Sequence, residues 1–181
     1  IVADAFGGAQ GLLGVDGMQD KRIFIDFRND FINISRSRNR RADVGFQTLE
    51  FLPNSLNLLV VHAQIGRVKV EAIIDTGAQA TIGNTALRTA LRREVQRGRH
   101  GEDDITGATG DVQTGIGARV SPILIGGISI LDAHVTFGDI HIFDMWNLGK
   151  EPALVIGMDI IGLLDTLVID YRRRELHLKP R

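Results

Sequence analysis

The feature that most constrains this chain is a pattern that occurs twice, in residues 12–34 and again in residues 154–178. The first copy reads Gly-x-Asp and then Ile-Asp-Phe-Arg, and the second reads Gly-x-Asp and then Ile-Asp-Tyr-Arg, at nearly the same spacing. The corresponding pairs are Gly14 and Gly157, Asp16 and Asp159, Asp26 and Asp170. Each copy predicts a strand, a glycine turn, a short helical turn and a β-hairpin. Asp26 and Asp170, repeated at strand positions, are expected to have a structural role in the hairpins.

The repeat predicts three parts in the chain. Residues 1–34 are the expected C-terminal tail of a preceding repeat that is degenerate or truncated. Residues 35–44 are a basic linker, and residues 45–181 form one complete domain. Because no aromatic residues alternate with the linker arginines, a solvated connector is favoured over a nucleic-acid site. The surplus tail is expected to pack against an exposed sheet edge of its own chain or of a partner.

The composition restricts the class of protein. With 181 residues, 44% of them hydrophobic, the chain can bury the core of one domain and carry an appendage. A net charge of -1 predicts no general attraction to nucleic acid, and no apolar run approaches the roughly 18 residues that span a bilayer. The absence of cysteine excludes disulfides, thiolate zinc sites and a cysteine nucleophile.

Short runs rich in valine and isoleucine, bounded by Gly, Asn, Asp or Pro, predict a mainly β fold. The predicted strands are 45–51, 56–65, 67–74, 112–125, 128–137, 154–156 and 167–171. One stretch, 85–96, has apolar residues at helical spacing among arginines and is predicted to be a helix.

The stretch AIIDTGAQATIG, residues 72–83, places an acid at the end of an apolar strand. A buried carboxylate without a partner is costly, so a compensating group is expected beside Asp75. Gly77 would allow a tight turn and bring backbone N–H groups close to the carboxylate, and the Thr76 hydroxyl could tie the loop to a neighbour. Two carboxylates that share one proton can hydrolyse a peptide bond, one as the base for water and the other as the acid. We therefore hypothesise that Asp75 is one half of such a pair.

Three motifs in this order make the chain resemble the retropepsin-like aspartic proteases, single-repeat relatives of pepsin. IIDTGAQATI resembles the catalytic strand and turn, and ITGATGDVQTG (residues 105–115) resembles the flap over the substrate. ALVIGMDIIGLL (residues 153–164) resembles the hydrophobic-hydrophobic-Gly element, in which Gly157 precedes the C-terminal helix. The resemblance spans residues 45–181, and it is strongest to bacterial members that carry two repeats and are often exported. It implies an all-β, closed barrel of the acid protease fold with one or two short helices, in a periplasmic or secreted protein.

The resemblance also assigns roles to single residues. The residues concerned are Asp75 (catalytic), Thr76, Gly77 and Ala78 (support of the active-site loop), Ile105, Thr106, Gly107, Ala108, Thr109 and Gly110 (flap and substrate binding), and Gly157 and Asp159 (structural motif). No metal and no cofactor is implied. His134 and His141 lie near acidic residues, but they lack the short ligand spacing of a zinc site.

Only one Asp-Thr-Gly occurs in the chain, which leaves the source of the second aspartate open. Asp75 could pair with Asp75 of a second copy, or with an aspartate of an upstream repeat, and the homodimer is slightly favoured. The leading hypothesis is an aspartic endopeptidase acting on protein or peptide substrates. The alternatives are an inactive module of the same fold that binds peptides or dimerises, and a regulatory half of a two-repeat enzyme.

Overall fold

The computed structural model of the chain describes residues 14–52, 56–97, 100–106 and 112–181. The described residues are mostly β, with short helices between some of the strands. The strands are β1 (Lys21–Asp26), β2 (Phe31–Arg36), β3 (Gln47–Glu50), β4 (Val60–Ile65), β5 (Val68–Ile74), β6 (Ile82–Gly83), β7 (His100–Thr106), β8 (Val112–Arg119), β9 (Ile123–Ile125), β10 (Ile128–Ile130), β11 (His134–Phe137), β12 (Ala153–Ile156), β13 (Leu164–Asp170) and β14 (Glu175–Pro180). The helices are α1 (Thr85–Ala90), α2 (Arg92–Arg97), α3 (His141–Met145) and α4 (Met158–Ile161).

The helical content differs in detail from the prediction. The single helix expected over residues 85–96 is interrupted at Leu91 and forms α1 and α2. The helix α4 follows Gly157, where a short helical turn was expected, while α3 was not predicted. Helices this short are unstable in isolation and depend on tertiary contacts, which local periodicity does not reveal. None of the helices in the described ranges is long and apolar enough to cross a bilayer.

The strands form two sheets. The larger sheet has nine strands in the order β10-β9-β4-β5-β12-β6-β11-β8-β7, in which β12 runs parallel to β5 and antiparallel to β6. No pair between β10 and β7 closes this sheet within the described part of the chain, so the closed barrel that was expected is not found there.

The centre of the larger sheet is buried on both faces. Alternate residues of β12 pack into two different apolar clusters, Leu154 and Ile156 into the main core and Ala153 and Val155 into a smaller one. Its neighbour β5 divides in the same way, because Ile74 joins the main core and Ile73 the smaller one. A strand covered on both faces has a continuous apolar sequence, which accounts for the apolar residues 72–74 of β5 and 153–156 of β12.

The smaller sheet has five strands in the order β2-β1-β13-β14-β3. The first sequence copy forms the hairpin of β1 and β2, and the second forms the hairpin of β13 and β14. The two hairpins are joined by antiparallel pairing of β1 with β13. The first hairpin therefore adds two strands to a sheet edge of its own chain.

Candidate active site

The parallel pairing of β5 and β12 brings two of the predicted motifs together. Ile74 lies beside Ile156 in the register, and the backbone N–H of Asp75 donates to the carbonyl of Ile156 at 3.0 Å. Asp75 and Gly157 therefore both follow the ends of adjacent strands, and the loops that begin there leave the sheet side by side.

The carboxylate of Asp75 is held by its own loop. Its Oδ1 accepts the backbone N–H of Gly77 at 2.8 Å, and the side chain is half-buried. A Cβ added at Gly77 would lie 3.2 Å from this oxygen, and the backbone there is not left-handed. The tight turn expected from the sequence is present, because the carbonyl of Asp75 accepts the backbone N–H of Ala78 at 3.3 Å, and the expected N–H donation from Gly77 is present as well. Glycine also leaves room beside the carboxylate, which a side chain would crowd.

Thr76 and Ala78 flank this glycine in different environments. Thr76 is exposed, and its hydroxyl has no hydrogen-bond partner among the described residues, so its role in bracing a second loop stays a prediction. Ala78 is half-buried, and its carbonyl accepts the backbone N–H of Met158 at 2.8 Å.

Gly157 allows the two loops to touch. A Cβ placed there would lie 2.6 Å from the carbonyl oxygen of Ala80 and 2.9 Å from that of Ala78. Both distances are shorter than any real carbon–oxygen contact of this kind, and both oxygens belong to the backbone. The close approach of the two loops at this position therefore requires a residue without a side chain.

Asp159 fixes the same contact by hydrogen bonds. Its two oxygens accept the backbone N–H of Thr81 at 3.0 Å and the Thr81 hydroxyl at 2.8 Å. The Thr81 oxygen in turn accepts the N–H of Gly157 at 3.2 Å. Thr81 is almost fully buried and was not among the predicted site residues. The signal for it was indirect, since the Gly-x-Asp pattern shows that an acid is present but does not reveal its partner.

The predicted flap corresponds to the hairpin of β7 and β8. Thr106 pairs with Val112 at its outer end, Ile105 is buried and Thr106 is exposed. Gly107, Ala108, Thr109 and Gly110 lie outside the described residues. In the described part of the chain no hydrogen bond joins Ile105 or Thr106 to Asp75, so the flap role stays a prediction.

The base of this hairpin is tied to β11. Asp103 of β7 lies 2.6 Å from Nε2 of His134 and accepts the hydroxyl of Thr136 at 3.1 Å. The hydrogen bond from His134 lowers the pKa of the Asp103 carboxyl. His134, one of the two histidines considered for a metal, is thus engaged by a carboxylate. The described residues contain no group of three or more His, Asp or Glu side chains that could hold a metal ion.

Comparisons with known proteins agree with this geometry. The family model described as aspartyl protease matches residues 61–160, more than half of the chain. A search of the curated proteins gave no match. Among solved structures, the chain is similar to a retropepsin-like aspartic protease from Rickettsia conorii, with 16% identity and a TM-score of 0.51 over 77% of this chain and 94% of that one. At that identity the likeness shows the retropepsin-like fold alone. With the family match, it confirms the resemblance inferred from the three motifs at the level of family and fold: this chain belongs to the aspartyl protease family.

Proposed function

We propose that this chain is one catalytic lobe of an aspartic endopeptidase and that Asp75 is its catalytic carboxylate. The observation that carries the proposal is the setting of Asp75, at the end of a strand buried between two apolar clusters. One of its oxygens is fixed by the N–H of Gly77, and the other has no hydrogen-bond partner among the described residues. The carboxylate is therefore positioned but still free to bind a further group.

The chemistry requires a second carboxylate beside Asp75. Two carboxylates close together share one proton, because the second ionisation is opposed by the charge of the first. The ionised member takes a proton from water as the water oxygen attacks the peptide carbonyl carbon, and the protonated member polarises the carbonyl oxygen. The exposed Thr76 belongs to the same loop and would face the second lobe.

The substrate is an extended peptide between the carboxylate pair and the hairpin of β7 and β8. An extended segment offers backbone N–H and C=O groups to a hairpin, and its side chains give specificity in the pockets on either side. This mechanism uses water and two acids, and it assigns no step to a metal or an organic cofactor.

The proposal is tested by replacing Asp75 with asparagine. Cleavage of an unfolded protein is measured from about pH 3 to pH 7, because a carboxylate pair can hold one proton in this pH range. Each measurement is made with and without pepstatin. The assay uses both the 181-residue chain and a version extended by the upstream coding sequence. We expect Asp75→Asn to reduce activity by at least about 10³-fold, since members of a catalytic unit fail together.

The matched control is Asp132→Asn. Asp132 is exposed and forms an ion pair with Arg119, and asparagine tolerates its left-handed backbone as well as aspartate does. The control should retain activity. Cleavage that is unchanged by Asp75→Asn would reject this mechanism.

The second candidate is a module of the same fold that binds peptides without cleaving them. It is favoured by the single Asp-Thr-Gly and by the absence of a second carboxylate bonded to Asp75 in the described part of the chain. This candidate predicts that the wild-type protein binds an extended peptide, leaves it intact, and keeps the same affinity after Asp75→Asn.

A further inference from the structure

The outer face of the smaller sheet carries two buried side chains that the main core does not cover. Val168 of β13 and His177 of β14 pair with each other in the register and are 1% and 0% exposed. Side chains alternate between the two faces of a strand, and the neighbours on either side of these two residues belong to the main core. Those inward-facing neighbours are Leu167, Ile169, Leu176 and Leu178. Val168 and His177 therefore face away from the core, and another segment must bury them.

The covering segment is the connection between β2 and β3, residues 37–46, which we call the strap. The strands β2 and β3 form opposite edges of the five-stranded sheet, so this connection has to pass across the sheet. The hydroxyl of Ser37 donates to the buried Asp170 at 3.0 Å, and Nη1 of Arg173 donates to Oδ1 of Asn39 at 2.9 Å. The strap, which contains most of the predicted basic linker, is therefore fixed to the sheet at its first residues.

The repeated aspartates Asp26 and Asp170 each hold the turn of their own hairpin. Oδ1 of Asp26 accepts the N–H of Asn29 at 3.1 Å, and Oδ1 of Asp170 accepts the N–H of Arg173 at 3.1 Å. The structural role expected for both aspartates is confirmed, and Asp170 uses its second oxygen to bind Ser37 of the strap.

The strap leaves a cavity between itself and the sheet. Its volume is about 320 Å³, which lies within the usual range of roughly 300 to 1,000 Å³ for small-molecule sites. Phe24, Val168 and His177 form its floor on the sheet, and Ala42 and Phe46 line it from the strap. None of its lining residues belongs to the candidate active site or to the hairpin of β7 and β8, so the cavity is a separate site.

The apolar part of the cavity wall is aromatic. Phe24, Phe31 and Phe46 all line the cavity, and Phe31 is 52% exposed. Within the described residues none of these three rings packs against another aromatic ring. Aromatic rings prefer offset-stacked or edge-to-face partners, and these three rings are open to one. A planar ring in a ligand therefore fits this wall better than a flexible alkyl chain does.

Arg22 supplies hydrogen-bond donors to the same cavity. Its side chain is only 19% exposed, and its hydrogen bond among the described residues runs from Nη1 to Asp170 at 3.3 Å. A guanidinium has five N–H donors, so most of them remain available in the cavity wall. Asp170 offsets part of the charge of Arg22, and Arg40 and Asp43 of the strap form an ion pair at 3.0 Å. This balance favours a singly charged anion over a phosphate dianion.

His177 supplies a second buried donor. Its Nδ1 lies 3.0 Å from the Thr48 hydroxyl, and its Nε2 is buried without a hydrogen-bond partner among the described residues. An oxygen of Glu175 is 3.6 Å from Nε2, beyond hydrogen-bond distance, but its charge favours the tautomer with the hydrogen on Nε2. The Thr48 hydroxyl then donates to Nδ1. A buried N–H without an acceptor is costly, so a ligand oxygen beside Nε2 is stabilising.

We propose that this cavity, which we call the strap pocket, binds a small aromatic carboxylate. The ring of the ligand lies among the three phenylalanines, and its carboxylate oxygens accept hydrogen bonds from Arg22 and from Nε2 of His177. Such a ligand accounts for an arginine and a histidine that are buried on a sheet face which the main core does not use. Binding in the strap pocket does not depend on the proposed peptidase activity.

Nuclear magnetic resonance of the isotope-labelled 181-residue chain tests the proposal. The probe is naphthoate, and naphthalenemethanol is the matched ligand that has the same rings without the charge. We expect saturable shifts of the amides of Phe24, Ala42 and Val168. We also expect naphthoate to bind at least about tenfold more tightly than naphthalenemethanol, because charge-assisted hydrogen bonds are stronger than neutral ones.

Three results of this titration would overturn the inference. The first is the absence of a saturable shift, and the second is equal affinity of the two ligands. The third is a set of shifts centred on residues 128–131, which line a different and apolar cavity.

Arg22→Gln removes the charge that the carboxylate needs. It should weaken naphthoate binding by at least about tenfold and leave naphthalenemethanol binding nearly unchanged, because only the anion uses the guanidinium. Arg67→Gln is the matched control, since Arg67 is exposed in the turn between β4 and β5, and it should keep the wild-type affinity. Equal naphthoate affinity in the wild type and in Arg22→Gln would overturn the inference.

Ala42→Trp tests the strap pocket without disturbing a buried charge. The indole occupies the cavity from the strap, so the binding of both ligands should be lost. Val44→Trp is the matched control on the same strap, because Val44 is fully exposed and does not line the cavity. Unchanged naphthoate affinity in Ala42→Trp would overturn the inference, even where Arg22→Gln fails to fold.

The strap pocket and the peptidase fail in different experiments. Naphthoate binding that persists in Asp75→Asn supports a separate site, whether or not the protein cleaves peptides. Naphthoate binding that is lost in Asp75→Asn would overturn the inference, because the strap pocket shares no residue with the loop of Asp75.

Discussion

At the scale of single residues, the candidate site depends on close backbone contacts more than on charges. The loop of Asp75 and the turn at Gly157 are joined through Thr81 and Asp159 by hydrogen bonds of 2.8 to 3.2 Å. Both oxygens of Asp159 and the hydroxyl of Thr81 are engaged by these bonds, so the contact has one defined geometry. The carboxylate of Asp75 is thus positioned by residues that perform no chemistry.

Gly157→Ala should disrupt this contact. The added methyl group would lie 2.6 Å from the Ala80 carbonyl oxygen, so the loops must separate. We expect a loss of about 1 to 3 kcal/mol in the free energy of unfolding, measured by urea denaturation, as for other overpacked sites. Gly101→Ala is the control, because a Cβ at Gly101 meets nothing within 4 Å. Equal stability of the two variants would show that the loops tolerate separation.

At the scale of elements, Asn84 connects α1 to β12, the strand that ends just before Gly157. Its Oδ1 accepts the N–H groups of Leu87 and Ala153, and its amide donates to the carbonyls of Leu148 and Glu151 at 2.7 Å each. A residue that is only 3% exposed therefore caps a short helix and also holds the start of β12. This tertiary role explains how a helix of six residues is stable.

Asn84→Ala should be severely destabilising. The substitution removes the cap and leaves buried N–H and C=O groups without partners, which together predict a loss of about 2 to 4 kcal/mol. Thr85→Ala, at the exposed first residue of the same helix, is the control and should change stability little. The comparison is made by urea denaturation, and a small effect of Asn84→Ala would mean that water replaces the lost bonds.

At the scale of the whole molecule, polar groups join the two hairpins on the outer face of the smaller sheet. Asp170 is fully buried and accepts Arg22 at 3.3 Å and the hydroxyl of Ser37 at 3.0 Å. His177 is also fully buried, with its Nδ1 3.0 Å from the Thr48 hydroxyl. Burial lowers the pKa of His177, and the nearby charge of Arg22 lowers it further.

The stability of the protein should therefore fall as the pH drops below about 6.5. The folded state binds a proton at His177 less readily than the unfolded state does, so acid favours unfolding. Thermal unfolding measured between pH 8 and pH 5 should show this loss of stability as the pH falls. His177→Asn keeps a polar atom near the position of Nδ1 and should make the loss smaller. His62→Asn, at an exposed position on β4, is the control. An identical pH dependence in wild type and His177→Asn would contradict the assignment.

Much of the fold and of the candidate site was predictable because it is local. The alternation of apolar residues and the positions of glycine predicted most strands, and the apolar run before Asp75 predicted a strand that ends at an acid. The paired copies predicted two equal hairpins. Thr81 and Asn84 were not predicted as site or capping partners, because their partners lie 78 and 69 residues away along the chain.

The sequence by itself determined the β class, the family and the residue proposed for catalysis, since each depends on neighbours within a few positions. The tertiary structure alone decided that β5 lies beside β12, that Gly157 touches the loop of Asp75, and that β1 occupies the edge of β13. Those contacts join distant segments, and they form because burial and hydrogen bonding select one pairing among the many that the same local pattern allows.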